Sequence, residues 1–153
     1  MSPAAQLANL LAEKFVKSAA PDLAQLCEDL GLRIREVPAR GFDGALVRSK
    51  AGQKGIVAIN ARIREASRKR FTIGHEIGHF VIPHHRLLAN VCEQRKIESF
   101  NPKLGRPELE ANEFAAELLL PTALLRKRFD LSQFSLAQIS GVAADFGTSL
   151  CAT

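Results

Sequence analysis

One stretch limits what this chain can fold into: Phe71-Thr72-Ile73-Gly74-His75-Glu76-Ile77-Gly78-His79-Phe80-Val81-Ile82, an apolar run of helix length interrupted by His-Glu-x-x-His. On a helix, His75 and His79 lie one turn apart on the same face, with Glu76 beside them. Burying three ionisable groups among Phe71, Ile73, Ile77, Phe80, Val81 and Ile82 is costly unless they pair or bind a metal. A pair of hydrogen-bonded structural histidines would also fit the spacing, but the apolar flanks favour a metal. Two imidazole nitrogens suit zinc, which keeps a position for water in catalytic sites. A metal that acidifies this water, next to a carboxylate that takes its proton, is the equipment of a metallopeptidase, with Glu76 as general base.

A chain of 153 residues has the length of one domain and can bury a substantial core. Hydrophobic content of 46% against 24% charged residues is that of a folded protein and excludes disorder. No uncharged apolar run reaches the roughly eighteen residues a membrane span needs. The apolar N-terminus has no basic region before it and runs into Glu13 and Lys14, so it reads as an amphipathic helix, not a signal peptide. Cys27, Cys92 and Cys151 are odd in number and widely spaced, which points to reduced thiols in a cytoplasmic protein. A net charge of +5 leaves room for an acidic partner or nucleic acid, although a solvated basic face is the usual cause.

Leu7, Leu10, Leu11 and Phe15 recur at helical spacing, and Pro21-Asp22 opens a second helix carrying Leu23, Leu26, Cys27 and Leu30 up to Gly31. Alternation over residues 32–37 predicts a half-exposed strand ending at Pro38, followed by short strands at residues 45–47 and 56–60, together an antiparallel meander. Arg62, Arg64, Arg68, Lys69 and Arg70 then cluster ahead of the metal helix. They lack interleaved aromatics, which favours a solvated helix start over a nucleic-acid surface. Pro83 stops the helix, and His84 and His85 follow, placed at the cleft or in solvent. Residues 86–107 are polar and weakly periodic and read as a mobile or irregular loop.

Pro107 begins a further helix through Leu120, with Pro121 ending it. At about 100° per residue, Glu110, Glu113 and Glu117 share one side, while Glu108 lies in line with Ala111, Asn112 and Ala115, toward the core. An inward carboxylate needs a cation, and two histidines leave a metal short of a third protein ligand. Glu108 is therefore the expected ligand, against a helix-start charge worth a few tenths of a kcal/mol, and Glu110 takes its place if the helix starts in another register.

Arg70-Phe71-Thr72 leading into His75-Glu76-Ile77-Gly78-His79, then the run from Glu108 to Pro121, resembles the ImmA/IrrE family of zinc metallopeptidases, with the match covering residues 32–121. The resemblance implies an α+β, zincin-like domain with a small antiparallel or mixed sheet packed on helices. It implies a zinc site of His75, His79 and Glu108 with Glu76 as base, and as substrate a helix-turn-helix repressor whose cleavage derepresses stress-response or mobile-element genes. One Zn2+ per chain is expected, with another divalent ion such as Mn2+ as the alternative. An extended substrate is expected to add to a sheet edge at Ile56, Val57, Ala58, Ile59 and Asn60. With no tyrosine in the chain, a phenol cannot stabilise the oxyanion, which leaves His84, His85 or an arginine. The metallopeptidase domain is placed at residues 1–121. A helical, faintly helix-turn-helix-like segment occupies residues 122–153 and reads as cut short inside a helix. The rival function is a regulatory DNA- or protein-binding module with a structural metal.

Overall fold

The most apolar strand sits inside the sheet. A computed structural model of the chain describes residues 1–15, 20–87, 91–92, 105–129 and 135–153. Its strands β1 (Leu32–Val37), β2 (Gly44–Arg48), β3 (Gly55–Asn60) and β4 (Val91–Cys92) form one mixed sheet in the order β1-β3-β2-β4. β3 is parallel to β1, with Leu32 opposite Gly55, and antiparallel to β2, with Gly44 opposite Ile59. The expected meander is thus corrected: β1 and β2 are not neighbours, because β3 lies between them. β3 buries Val57 and Ile59, whereas β1 exposes Arg33, Arg35 and Glu36, charges that an edge strand tolerates.

The same pairing overturns edge addition at Ile56, Val57, Ala58, Ile59 and Asn60, since both sides of β3 already carry ladders. Asn60 serves the fold instead: its Nδ2 donates to Phe42 O at 2.9 Å and its Oδ1 accepts from Arg62 N at 3.0 Å. β4 pairs with Gly44 and Ala45, so part of the loop expected at residues 86–107 is strand; its segment 93–104 lies outside the described residues.

The helices are α1 (Pro3–Phe15), α2 (Leu23–Asp29), α3 (Ala66–Val81), α4 (Arg106–Leu119), α5 (Thr122–Arg128) and α6 (Leu136–Phe146), with a 3-10 turn at Pro83–Leu87. Asp22 caps α2 by accepting from Gln25 N at 3.0 Å. α1 packs on α4 through Ala4, Ala8 and Ala12, flanked by half-buried Leu7, Leu11 and Phe15, while Leu10 of the expected stripe is exposed. Small residues let the two helix axes approach. α6 begins in a capping box between Ser135 and Gln138 and stops at Gly147, whose φ of +63° closes the C-terminus. Thr153 therefore does not lie in a helix, which corrects that expectation. Among the described residues, no helix is long and apolar enough to cross a membrane.

α3 is anchored from three sides. Arg68 pairs with Asp43 ahead of β2, Lys69 with Glu36 of β1, and Arg70 Nη2 donates to Pro21 O. Three members of the basic cluster are thus structural tethers, not a freely solvated face. At the other end, Arg48 of β2 donates to the carbonyls of His79 and Phe80, meeting the negative end of the helix with a cation.

Among the described helices, α3 and α4 make the most extensive contact. A Cβ on Gly78 would lie 3.0 Å from Phe114 Cδ1 and 3.3 Å from the Ala111 Cα. One on Gly74 would lie 3.4 Å from the Ala115 Cβ. Each glycine precedes a histidine, so the approach that they permit sets His75 and His79 against α4.

Candidate metal centre

α3 contributes His75, Glu76 and His79, all buried, and α4 contributes Glu108 from its first turn. The Nε2 atoms of His75 and His79 are 3.1 Å apart. Glu108 Oε2 lies 3.3 Å from His75 Nε2, and its Oε1 lies 3.7 Å from His79 Nε2. Four ligands about 2.1 Å from a tetrahedral ion are separated by about 3.4 Å, so these three distances bracket that spacing. Glu108, Asn112 and Ala115 share the inward face of α4, as their angular positions predicted. Glu110 does not join this cluster.

Two residues outside the motifs set the state of the imidazoles. Asn112, one turn after Glu108, places Oδ1 2.8 Å from His75 Nδ1. The amide oxygen accepts, so His75 Nδ1 donates, and in the neutral ring Nε2 is left with its lone pair. Behind His79, its Nδ1 lies 3.0 Å from His85 Nδ1, and His85 Nε2 lies 3.0 Å from Glu110 Oε2. Burial works to raise the Glu110 carboxyl, but His85, His84 and Arg106 outweigh it and bring its pKa to about 2, so it only accepts. His85 must donate to it from Nε2. Burial lowers the pKa of His85, against the pull of Glu110, and keeps the ring neutral. Its Nδ1 therefore accepts, His79 Nδ1 donates, and the lone pair of His79 Nε2 also faces the centre.

Two lone pairs and a carboxylate converge in a buried place, an arrangement that requires a cation. Burial pushes His79 below its ordinary pKa, opposed by Glu108, which favours the neutral ring that a metal binds. The donors fit a divalent metal, with His75, His79 and Glu108 able to hold it.

Glu76 is fully buried next to His75. β2 passes so close that a Cβ on Gly44 would come within 2.7 Å of Glu76 Oε1 and 2.5 Å of Thr72 Cγ2, so only glycine lets the strand lie there. His85 is not in the cleft or in solvent as expected but buried behind His79, with both ring nitrogens engaged, which removes it as an oxyanion donor. His84 is exposed, with Nε2 2.5 Å from Glu110 Oε2. Sequence reasoning placed Asn112 on the inward face without giving it a partner. For His85 there was no local signal, because its position depends on the 3-10 turn folding back after Pro83.

A Mycobacterium tuberculosis transcriptional regulator shares the fold, with a TM-score of 0.58 at 14% identity over 99% of this chain and 45% of that one. The chain thus spans less than half of that protein, and the likeness is one of fold. No match to a curated protein was found. The family model described as the IrrE N-terminal-like domain matches residues 27–153, through both motif helices and the sheet. His75, His79 and Glu108 are one group able to hold the divalent metal that such a peptidase implies, and the chain belongs to the M78 peptidase family.

Proposed function

We propose that the chain is a zinc-dependent endopeptidase of zincin-like fold that cleaves a helix-turn-helix transcriptional repressor, relieving repression of stress-response or mobile-element genes in the cytoplasm. The observation that carries this reading is the convergence of two imidazoles and one carboxylate, with the carboxylate of Glu76 buried alongside. Three protein ligands leave a coordination position open, as catalytic sites require; the rival structural-metal module would be served by a closed set of four. The nitrogen-rich donors favour zinc over Mn2+. The substrate class rests on the family resemblance.

Zinc, when bound, supplies a Lewis acid that polarises the scissile carbonyl and acidifies water. His75 and His79 hold it through Nε2, their rings fixed by Asn112 and by His85 with Glu110. Glu76 accepts the proton of the attacking water and returns it to the leaving amine. Gly44 lets β2 pack against that carboxylate.

The test is incubation of the zinc-loaded protein with the transcription factor encoded beside it. Wild type should cut it, and Glu76→Gln should keep zinc by metal analysis but cut at least about 100-fold more slowly, the lower range for loss of a general base. Equal cutting by both proteins, or by neither at any zinc level, defeats the proposal.

A further inference from the structure

Behind the candidate metal centre lies a second cluster, two members of which, His85 and Glu110, also orient His79. His84, His85 and Glu110 bring three potential ligand atoms within 4.8 Å of one another. Glu110 Oε2 is 2.5 Å from His84 Nε2 and 3.0 Å from His85 Nε2, so the donor set repeats that of the first site: two imidazoles and one carboxylate. His85 and Glu110 are held by the fold, while His84, 62% exposed, can swing outward to admit an ion.

We propose that His84, His85 and Glu110 form a second, weaker divalent-cation site whose filling loosens the ion held by His75, His79 and Glu108. It is weaker for two reasons. Arg106 Nε holds Glu110 Oε1 at 2.9 Å, which leaves one carboxylate oxygen for an ion. The exposed His84 side chain must also be ordered, at a cost in rotamer entropy.

The coupling follows from the pair of Nδ1 atoms, 3.0 Å apart, between His79 and His85. One proton lies between them. With the second site empty, His85 Nε2 lies 3.0 Å from the acceptor Glu110 Oε2 and donates to it, so His85 Nδ1 accepts, the proton sits on His79, and His79 Nε2 is bare for the first ion. An ion on His85 Nε2 requires the neutral ring to carry its proton on Nδ1, which must then be donated to His79 Nδ1. His79 would have to move its own proton to Nε2, the atom that ligates the first ion. Filling both sites sets two N–H groups against each other. Each ion therefore weakens the other by the same factor. This antagonism rests on the proposed metal reading of the first site; the second cluster itself does not.

Zinc binding measured by equilibrium dialysis at buffered free zinc, with release to a chelator followed in time, tests the inference. Wild type should bind one ion tightly and one weakly. The tight ion should leave about tenfold faster when the weak site is full, within the roughly 5- to 150-fold range of ordinary coupling. His84→Ala, a change at an exposed side chain, should lose the weak step, leave the tight step unchanged and make cleavage insensitive to excess zinc. His75→Ala keeps the Nδ1 pair but removes a first-site ligand, so the tight step should vanish and the remaining step should strengthen about tenfold. A weak step that persists in His84→Ala, or a release rate indifferent to weak-site filling, overturns the inference. Two coupled binding steps without repressor cleavage would support it while defeating the peptidase reading; cleavage with one zinc step only would do the reverse.

Discussion

Each of the two imidazoles of this candidate centre is oriented by a neighbour outside the proposed ligand set. The His75 ring is oriented by the hydrogen bond that its Nδ1 donates to Asn112 Oδ1 at 2.8 Å. Asn112→Ala removes that acceptor from a buried position and frees the ring to turn or adopt the other tautomer. Zinc affinity should fall about 10- to 100-fold, the usual cost of losing such a partner. Asn112→Asp, which still accepts, should retain most of it; competition with a chromophoric chelator reads both. Equal affinity in all three proteins would show that His75 is held some other way. His75, Glu76 and His79 were legible from spacing alone, and Glu108 from its angle on the next helix. His85 was not, since its role depends on a backbone reversal after Pro83 that no periodic pattern encodes.

At the level of elements, the site is made by the crossing of α3 and α4. Gly78 sits where an added methyl would meet Phe114 Cδ1 at 3.0 Å and backbone at Ala111, neither of which yields easily. Gly78→Ala should therefore destabilise the protein by about 1–3 kcal/mol, as overpacking does, and weaken zinc binding, because the helix pushed away carries Glu108. Gly74→Ala meets only an ordinary contact of 3.4 Å with the Ala115 Cβ. There the gain in helix propensity, up to about 1 kcal/mol, should cancel most of the cost. Denaturant unfolding of both variants separates the cases; an equal loss would mean that the crossing is not the tight point. The helices themselves could be read from their 3.6-residue period and flanking prolines. Strand order could not, because alternation marks a strand without naming its neighbours. Placing the Val57 and Ile59 strand in the middle is a choice made by burial across the whole sheet.

Over the whole molecule, the same buried groups tie stability to pH. Burial lowers His79 and His85 below the value of about 6.5 that imidazoles have in the unfolded chain. Between the folded and unfolded values the unfolded chain binds more protons, so stability is greatest above about pH 6.5 and falls as pH drops below it. Glu110, at about 2, acts further down: its contribution is present above the ordinary glutamate value and fades as pH falls toward 2. Zinc held as proposed would add to the first effect, since protons compete for the same Nε2 atoms. At free zinc 100 times its dissociation constant, stabilisation amounts to about 2.7 kcal/mol, and that constant rises on acidification. Melting curves with zinc and with chelator, taken from pH 8 to pH 5 at one free-zinc level, should therefore converge as pH falls. The chelated protein should itself melt progressively lower below about pH 6.5. A zinc-dependent gap that stays constant across this range would mean that the ion is not held by the imidazoles of α3, and a chelated Tm flat through pH 6 would mean that His79 and His85 are not neutral in the fold.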